Sequence, residues 1–264
     1  MRHLLTFACE GAALAGSLDE ASGRTGILMV TGGSQTRIGS HRMYERLAAA
    51  LAQAGHPCFR FDRRGVGDSE GEDPGFRASR ADLLAAVETF RVRADLQRII
   101  GFGLCDGATA LMLFGHEIGL DGLILVNPWL VEAEAGQPPP AAIRRHYRER
   151  IVSREAWRRL LAGRIDLRKA ARGLRRAAAS PRSGLGAEAA AALVTSRLPA
   201  RLILARGDAT AIAAEPIWRA AGLPEPAHID TDSHTFARSG DMDELLEATL
   251  ASITSLSGTR YRSG

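Results

Sequence analysis

The sequence predicts an α/β fold: a mostly parallel central sheet with helices on both faces and a helical lid insertion before its last two strands. Three observations predict it. Short apolar strands alternate with longer amphipathic helices up to Trp129, the pattern of a sheet covered on both sides. The alternation resumes after Leu198. Between them the texture changes: the segment is Arg-rich and carries the linker-like run Pro138-Pro139-Pro140. The chain therefore divides into a core of residues 1–129 and 199–264 and an Arg-rich helical cap of residues 130–198.

In chain order, Leu4–Cys9 and Leu14–Leu18 flank a turn at Glu10-Gly11 and read as a β-hairpin. Gly26–Thr31 is a strand, followed by a Gly-rich turn and a helix from Ser40 to Ala54. His56–Asp62 is the next strand. Arg80–Ala94 is a helix, with Leu83, Leu84, Val87 and Phe90 on its apolar face. Arg98–Gly103 is a strand that turns sharply into a helix at Ala108–His116, and Leu123–Asn127 is a buried strand stopped by Pro128. In the insertion, Ala141–Ala179 reads as helical, anchored by Trp157, Leu160 and Leu161, and Ser180-Pro181-Arg182-Ser183-Gly184 breaks it. A strand at Arg201–Ala205, a helix near Glu215–Ala221, a strand at Ala227–Asp230 and a helix over Asp241–Leu256 complete the layout.

A hydrophobic content of 45% and a charged content of 24% fit a globular chain that builds its own core and exclude a disordered one. The apolar runs Gly26–Val30 and Leu123–Val126 are strand-sized, far below the roughly 20 residues a membrane helix needs. Glu10 interrupts the apolar amino terminus too early for a signal peptide, so the sequence reads as cytoplasmic. The 3 cysteines agree: an odd number in a reducing compartment points to a placed thiol rather than a disulfide framework. The net charge of +4 is uneven, because 15 Arg and Lys face only 6 Asp and Glu between Leu130 and Leu198. That stretch lacks the aromatic interleaving of a nucleic-acid surface. Its arginines either solvate helix faces or attract an anionic substrate or acidic carrier.

The strongest chemical signal is Gly103-Leu104-Cys105-Asp106-Gly107, with a strand before it and a helix after. The glycines allow a strained turn, where a Cβ at either position would strike the neighbouring strand or helix. That turn lifts the Cys105 sulfur to a helix amino terminus, whose dipole favours an anion. The pentapeptide alone also fits a buried packing cysteine at a strand end. Its context decides. Leu202–Ala205 is followed by Arg206-Gly207-Asp208, an acid just past a strand, and Ile229 is followed by a loop bearing His234. A nucleophile, an acid and a base thus arrive in that order at strand carboxyl ends, where α/β sheets build their sites. Asp230 and Asp232 stand too near His234 in sequence to serve as the acid.

These placements resemble the α/β-hydrolases. Asp62-Arg63-Arg64-Gly65-Val66-Gly67-Asp68-Ser69 looks like that family's Asp-x-Arg-Gly-x-Gly-x-Ser loop, which is mainly structural. Thr31-Gly32-Gly33-Ser34 occupies the place of its His-Gly oxyanion segment, without the histidine. The resemblance implies an oxyanion hole made by the Asp106 amide and that of Gly33 or Ser34. Gly32–Arg42, Phe61–Gly65, Gly103–Asp106 and Asn127-Pro128-Trp129 together resemble the exosortase A system-associated hydrolases, bacterial enzymes encoded alongside exopolysaccharide functions. A looser likeness is to dienelactone hydrolase, which also uses Cys, Asp and His. The implied activity is hydrolysis of an ester or thioester through a covalent acyl-enzyme. The implied substrates are small acyl compounds, including acyl-coenzyme A or an acyl carrier protein. A binding protein with an idle cysteine is the alternative outside catalysis.

Several other residues carry competing readings. Arg37, beside the oxyanion segment, reads as a carboxylate or phosphate contact or as a surface salt bridge. His41 reads as a substrate contact or as a locally bonded helix-end histidine. Cys9 and Cys58 lie inside strands and read as inert. No His, Cys, Asp and Glu cluster has metal spacing. The glycines at 32, 33 and 39 lack dinucleotide-fingerprint spacing, so neither a metal nor a cofactor is expected.

Overall fold

The computed structural model describes residues 1–131 and 184–258. Glu10 and Gly11 both take positive φ, 48° and 86°, as a tight hairpin turn requires. They fold β1 (Arg2–Cys9) back on β2 (Ala12–Asp19), with Cys9 opposite Ala12. β2 then pairs antiparallel with β4 (Cys58–Phe61), and every later pairing is parallel. The remaining strands are β3 (Thr25–Val30), β5 (Arg98–Leu104), β6 (Gly122–Val126), β7 (Ala200–Ala205) and β8 (Ala227–Ile229). The described strands form one 8-stranded sheet in the order β1-β2-β4-β3-β5-β6-β7-β8.

Helices cover both faces. α1 (Met43–Gln53) and α6 (Asp241–Gly258) press Leu47, Leu51, Leu245 and Ile253 onto Ile27 and Met29. On the other face α2 (Arg80–Arg93), α3 (Asp106–Phe114), α4 (Leu185–Ser196) and α5 (Ala209–Ala220) bring Phe90, Leu111, Leu193 and Trp218 to a core that includes Leu28 and Val30. Alternate β3 residues thus serve opposite faces, as the two-residue strand period dictates. The chain leaves β3 through α1 to β4 on one side and returns through α2 to β5 on the other. The carboxyl ends of β3 and β5 therefore flank the point where the strand order reverses, the place where open α/β sheets form a crevice.

Three helix starts differ from the sequence reading. His41 and Arg42 take left-handed φ values of 43° and 64°, so the helix expected from Ser40 begins at Met43. Leu104 completes β5, and the helix expected from Ala108 starts at Asp106, directly after the cysteine. The helix expected near Glu215 starts at Ala209, because the Asp208 carboxylate accepts the Ala211 N–H at 2.9 Å and caps it. Pro216 is accommodated inside that helix. The helical stretch expected over Ala141–Ala179 lies outside the described residues. Within the span assigned to the cap, α4 buries Ala189 and Leu193 in the same core as α3 and α5, so this part of 130–198 belongs to the core's helical layer. Among the described residues, no helix is long and apolar enough to cross a membrane.

Candidate active site

Cys105 sits between β5 and α3 at φ 60° and ψ −127°, a conformation that costs a non-glycine residue about 1–3 kcal/mol. Its surroundings hold it there. The Cys105 N–H donates to Val126 O at 3.1 Å, and its carbonyl accepts from the N–H groups of Trp129 at 3.1 Å and Thr109 at 3.2 Å. The flanking glycines are sterically required. A Cβ on Gly107 would lie 2.6 Å from Val30 O and 2.7 Å from Thr31 O, and one on Gly103 would lie 2.8 Å from the Ala108 backbone. The turn is thus wedged between β3 and α3, with a partly exposed thiol at its apex.

His234 reaches this thiol from the loop after β8. Its Nδ1 is 3.2 Å from Asp208 Oδ2, and the Cys105 thiol also acts on the ring. Nδ1 lies within ion-pair distance of Asp208 but has no well-aligned hydrogen-bond partner. Burial of the imidazole lowers its pKa, but Asp208 and Cys105 outweigh that effect and raise it from 6.5 to about 10. Asp208 shows the matching balance: burial raises its pKa, while His234 and the amides of Ala211 and Thr210 bring it below the usual carboxylate value. The acid is therefore fixed twice over, as the α5 cap and as the partner of the histidine.

Asn127 is a participant that sequence reasoning used only as part of a resemblance. Fully buried at the end of β6, with φ 41°, it accepts the Ala205 N–H at 2.9 Å and donates Nδ2–H to His234 O at 3.1 Å. One side chain so ties the ends of β6 and β7 to the backbone of the histidine. The only local signal is an asparagine at a strand end, a residue that tolerates left-handed backbone.

The segment expected to form the oxyanion hole abuts the elbow. A Cβ on Gly32 would stand 2.8 Å from Cys105 Cβ and 2.6 Å from Leu104 O. The Gly33 amide is engaged: it donates to Asp106 Oδ1 at 2.5 Å. No acceptor for the Ser34 amide is found among the described residues. The Asp106 amide lies in the first turn of α3, where N–H groups lack intrahelical acceptors. Of the two amides expected to compete, Ser34 offers the open one.

Of the two readings of Arg37, its partners match the salt bridge. Its side chain is 13% exposed; Nε donates to Ser17 Oγ at 3.1 Å, Nη1 pairs with Asp62, and Nη2 lies 2.8 Å from Asp68. The guanidinium is committed to pinning the loop after β4. Asp62 also accepts the Asp68 N–H at 3.1 Å, and Ser69 Oγ donates to Asp62 O at 2.7 Å, as a structural motif would. His41 is exposed, and its Nε2 meets Thr235 O at 2.8 Å, bridging the loop after β3 to the histidine loop. Asp232 is taken by Arg238 at 2.6 Å. Cys9 and Cys58 are buried; desolvation, reinforced by Asp82, raises the Cys9 thiol to about 11, and burial raises Cys58 well above the ordinary value. Among the described residues, no group of 3 or more His, Cys, Asp or Glu is placed to hold a metal ion.

A parallel-led sheet, a strained strand-to-helix elbow, and an acid and a histidine after the last two strands define an α/β-hydrolase. The chain belongs to the family described as serine aminopeptidase, S33, whose profile matches residues 27–204, and it is a hydrolase of the α/β type. Among curated proteins, none matches the sequence significantly. Solved structures share the fold at low identity. An esterase from Pyrococcus furiosus superposes with a TM-score of 0.66 at 14% identity, covering 97% of this chain and 91% of its own. A dienelactone hydrolase from Anabaena variabilis gives 0.64 at 15%, covering 97% of each chain. An α/β serine hydrolase from Xanthomonas campestris, described as lacking a lid, gives 0.62 at 16%, covering 98% of this chain and 97% of its own.

Proposed function

We propose that the protein hydrolyses esters or thioesters with Cys105 as its nucleophile, although the family's name denotes a serine enzyme. The observation that carries this reading is the position of Cys105 at a strained elbow, where its thiol acts on a histidine whose Nδ1 lies 3.2 Å from Asp208. As sulfur attacks the acyl carbon, the proton of the Cys105–His234 pair stands on the imidazole, whose raised pKa favours holding it. The Asp106 and Ser34 amides receive the developing oxyanion. His234 returns its proton to the leaving alcohol or thiol, leaving an acyl-cysteine. It then deprotonates a water molecule that attacks the acyl carbon, and the carboxylic acid departs as the thiol is restored.

The Arg-rich composition of 130–198, the proposed cap, suits an anionic acyl carrier such as acyl-coenzyme A or an acidic carrier protein. The resemblance to exosortase-associated hydrolases supports a substrate in exopolysaccharide-linked chemistry, handled in the reducing cytoplasm. Small-lactone hydrolysis is a second reading, favoured by the fold-level likeness to a dienelactone hydrolase. Turnover of acyl-coenzyme A, carrier-bound acyl groups, aryl esters and lactones by wild type and Cys105→Ala tests both parts. A Cys105→Ala enzyme as active as wild type on these substrates refutes the thiol mechanism. The preferred substrate selects between the two readings.

A further inference from the structure

Gly32-Gly33-Ser34 contributes two consecutive peptide groups beside the elbow, with four hydrogen-bonding positions between them. Gly32 O accepts the Gln35 N–H at 3.4 Å, and the Gly33 N–H donates to Asp106 Oδ1 at 2.5 Å. Gly33 O accepts Arg63 Nη2–H at 2.6 Å. The Ser34 N–H alone has no partner among the described residues. Because the described peptides are all trans, Gly33 C=O and Ser34 N–H point in opposite directions across one plane. Whatever grips that carbonyl also aims that amide.

Arg63 is an expensive way to grip one carbonyl. Its side chain is only 3% exposed, its Nη1 is buried without a hydrogen-bond partner, and the carboxylate paired with it, Asp73, stands 4.0 Å away. A buried guanidinium so loosely compensated disfavours folding. In the loop motif Arg63 fills the variable position, while the motif arginine, Arg64, is engaged by Asp82 at 2.7 Å and by Glu10. Resting on the thiol mechanism above, we propose that Arg63 is a positioning residue for the oxyanion hole. It holds the Gly33–Ser34 peptide with its carbonyl outward and its N–H toward the acyl oxygen, and its charge makes that N–H a stronger donor.

A double-mutant cycle tests this in the full-length protein. Ser34→Pro deletes the amide proton, Arg63→Met deletes the grip, and Arg63→Lys keeps a charge without the fork. Loss of one oxyanion donor lowers kcat by on the order of 10²–10³-fold. Ser34→Pro should fall in that range, and Arg63→Met by at least about tenfold, with KM little changed and Arg63→Lys intermediate. The combined Ser34→Pro/Arg63→Met variant should be no slower than Ser34→Pro alone, since both act through one N–H. Cys105 alkylation by iodoacetamide forms no oxyanion, so its rate should stay near wild type in every variant. Multiplying effects, no effect of Arg63→Met, or parallel losses of alkylation, kcat and thermal stability overturn the proposal. Wild-type turnover that survives complete Cys105 alkylation instead overturns the thiol mechanism beneath it.

Discussion

Replacing Asn127 with Ala separates the architecture of the site from its chemistry. The side chain is fully buried and holds the Ala205 N–H at 2.9 Å and His234 O at 3.1 Å. Removing the acceptor strands a buried strand-end amide, which costs about 1–3 kcal/mol, and losing the bond to His234 O adds about 1 kcal/mol. The backbone at φ 41° suits asparagine better than alanine by roughly 1 kcal/mol. Together these give about 3–5 kcal/mol, a large share of the roughly 5–15 kcal/mol that holds a typical domain together. The variant should still fold, and its guanidinium midpoint, followed by tryptophan fluorescence, should drop accordingly. Released from β6, the His234 backbone should drift, and a displacement of about 1 Å at a catalytic group costs on the order of 10²-fold in rate. A loss below about 0.5 kcal/mol, with kcat unchanged, refutes the assignment of Asn127 as the tie between sheet and histidine; the threshold is the usual range for inconsequential substitutions.

Three further outcomes follow from the geometry. Gly107→Ala drives a methyl group into the Val30 and Thr31 carbonyls at 2.6 Å and 2.7 Å, so thermal unfolding should show a loss of about 1–3 kcal/mol or more. Arg37→Ala should weaken the fold by about 3–5 kcal/mol, because it leaves the buried Asp62 carboxylate without its main cation, while KM for a neutral ester stays unchanged in the surviving folded fraction. The His234–Asp208 pair should also shape stability with pH. A histidine raised from 6.5 to about 10 contributes fully below pH 6.5 and loses that contribution as pH rises through 10, whereas the lowered Asp208 contributes above the ordinary carboxylate range and loses it on acidification. The difference in melting temperature between wild type and His234→Ala should therefore be largest near pH 5–6 and shrink toward pH 10; a difference that grows with alkalinity contradicts the pairing.

The sheet, the elbow and the order of its three side chains were legible because each rests on local pattern: strand period, a glycine-flanked turn, and acids and bases just past strand ends. Cys105, Asp208 and His234 converge because three strand carboxyl ends converge. Residues whose role depends on distant contacts were not legible. Asn127 bonds to backbone 78 and 107 residues away, and Arg63 reaches 30 residues back to Gly33. Arg37 kept two readings for the same reason. Its neighbours in sequence line the site, but Asp62, 25 residues on, draws its guanidinium into the loop after β4. The early start of α5 was not legible because the capping role of Asp208 is visible only once Ala211 turns back onto it.

The most direct measurement is to quench the enzyme during turnover of an activated ester and map the acylated peptide by mass spectrometry, in wild type and Cys105→Ala. The account predicts an acyl group on Cys105 in wild type that accumulates and decays with turnover. It also predicts no adduct in Cys105→Ala, with activity reduced by on the order of 10⁴-fold or more. Turnover at the wild-type rate in Cys105→Ala, or an acyl group on another side chain, contradicts it.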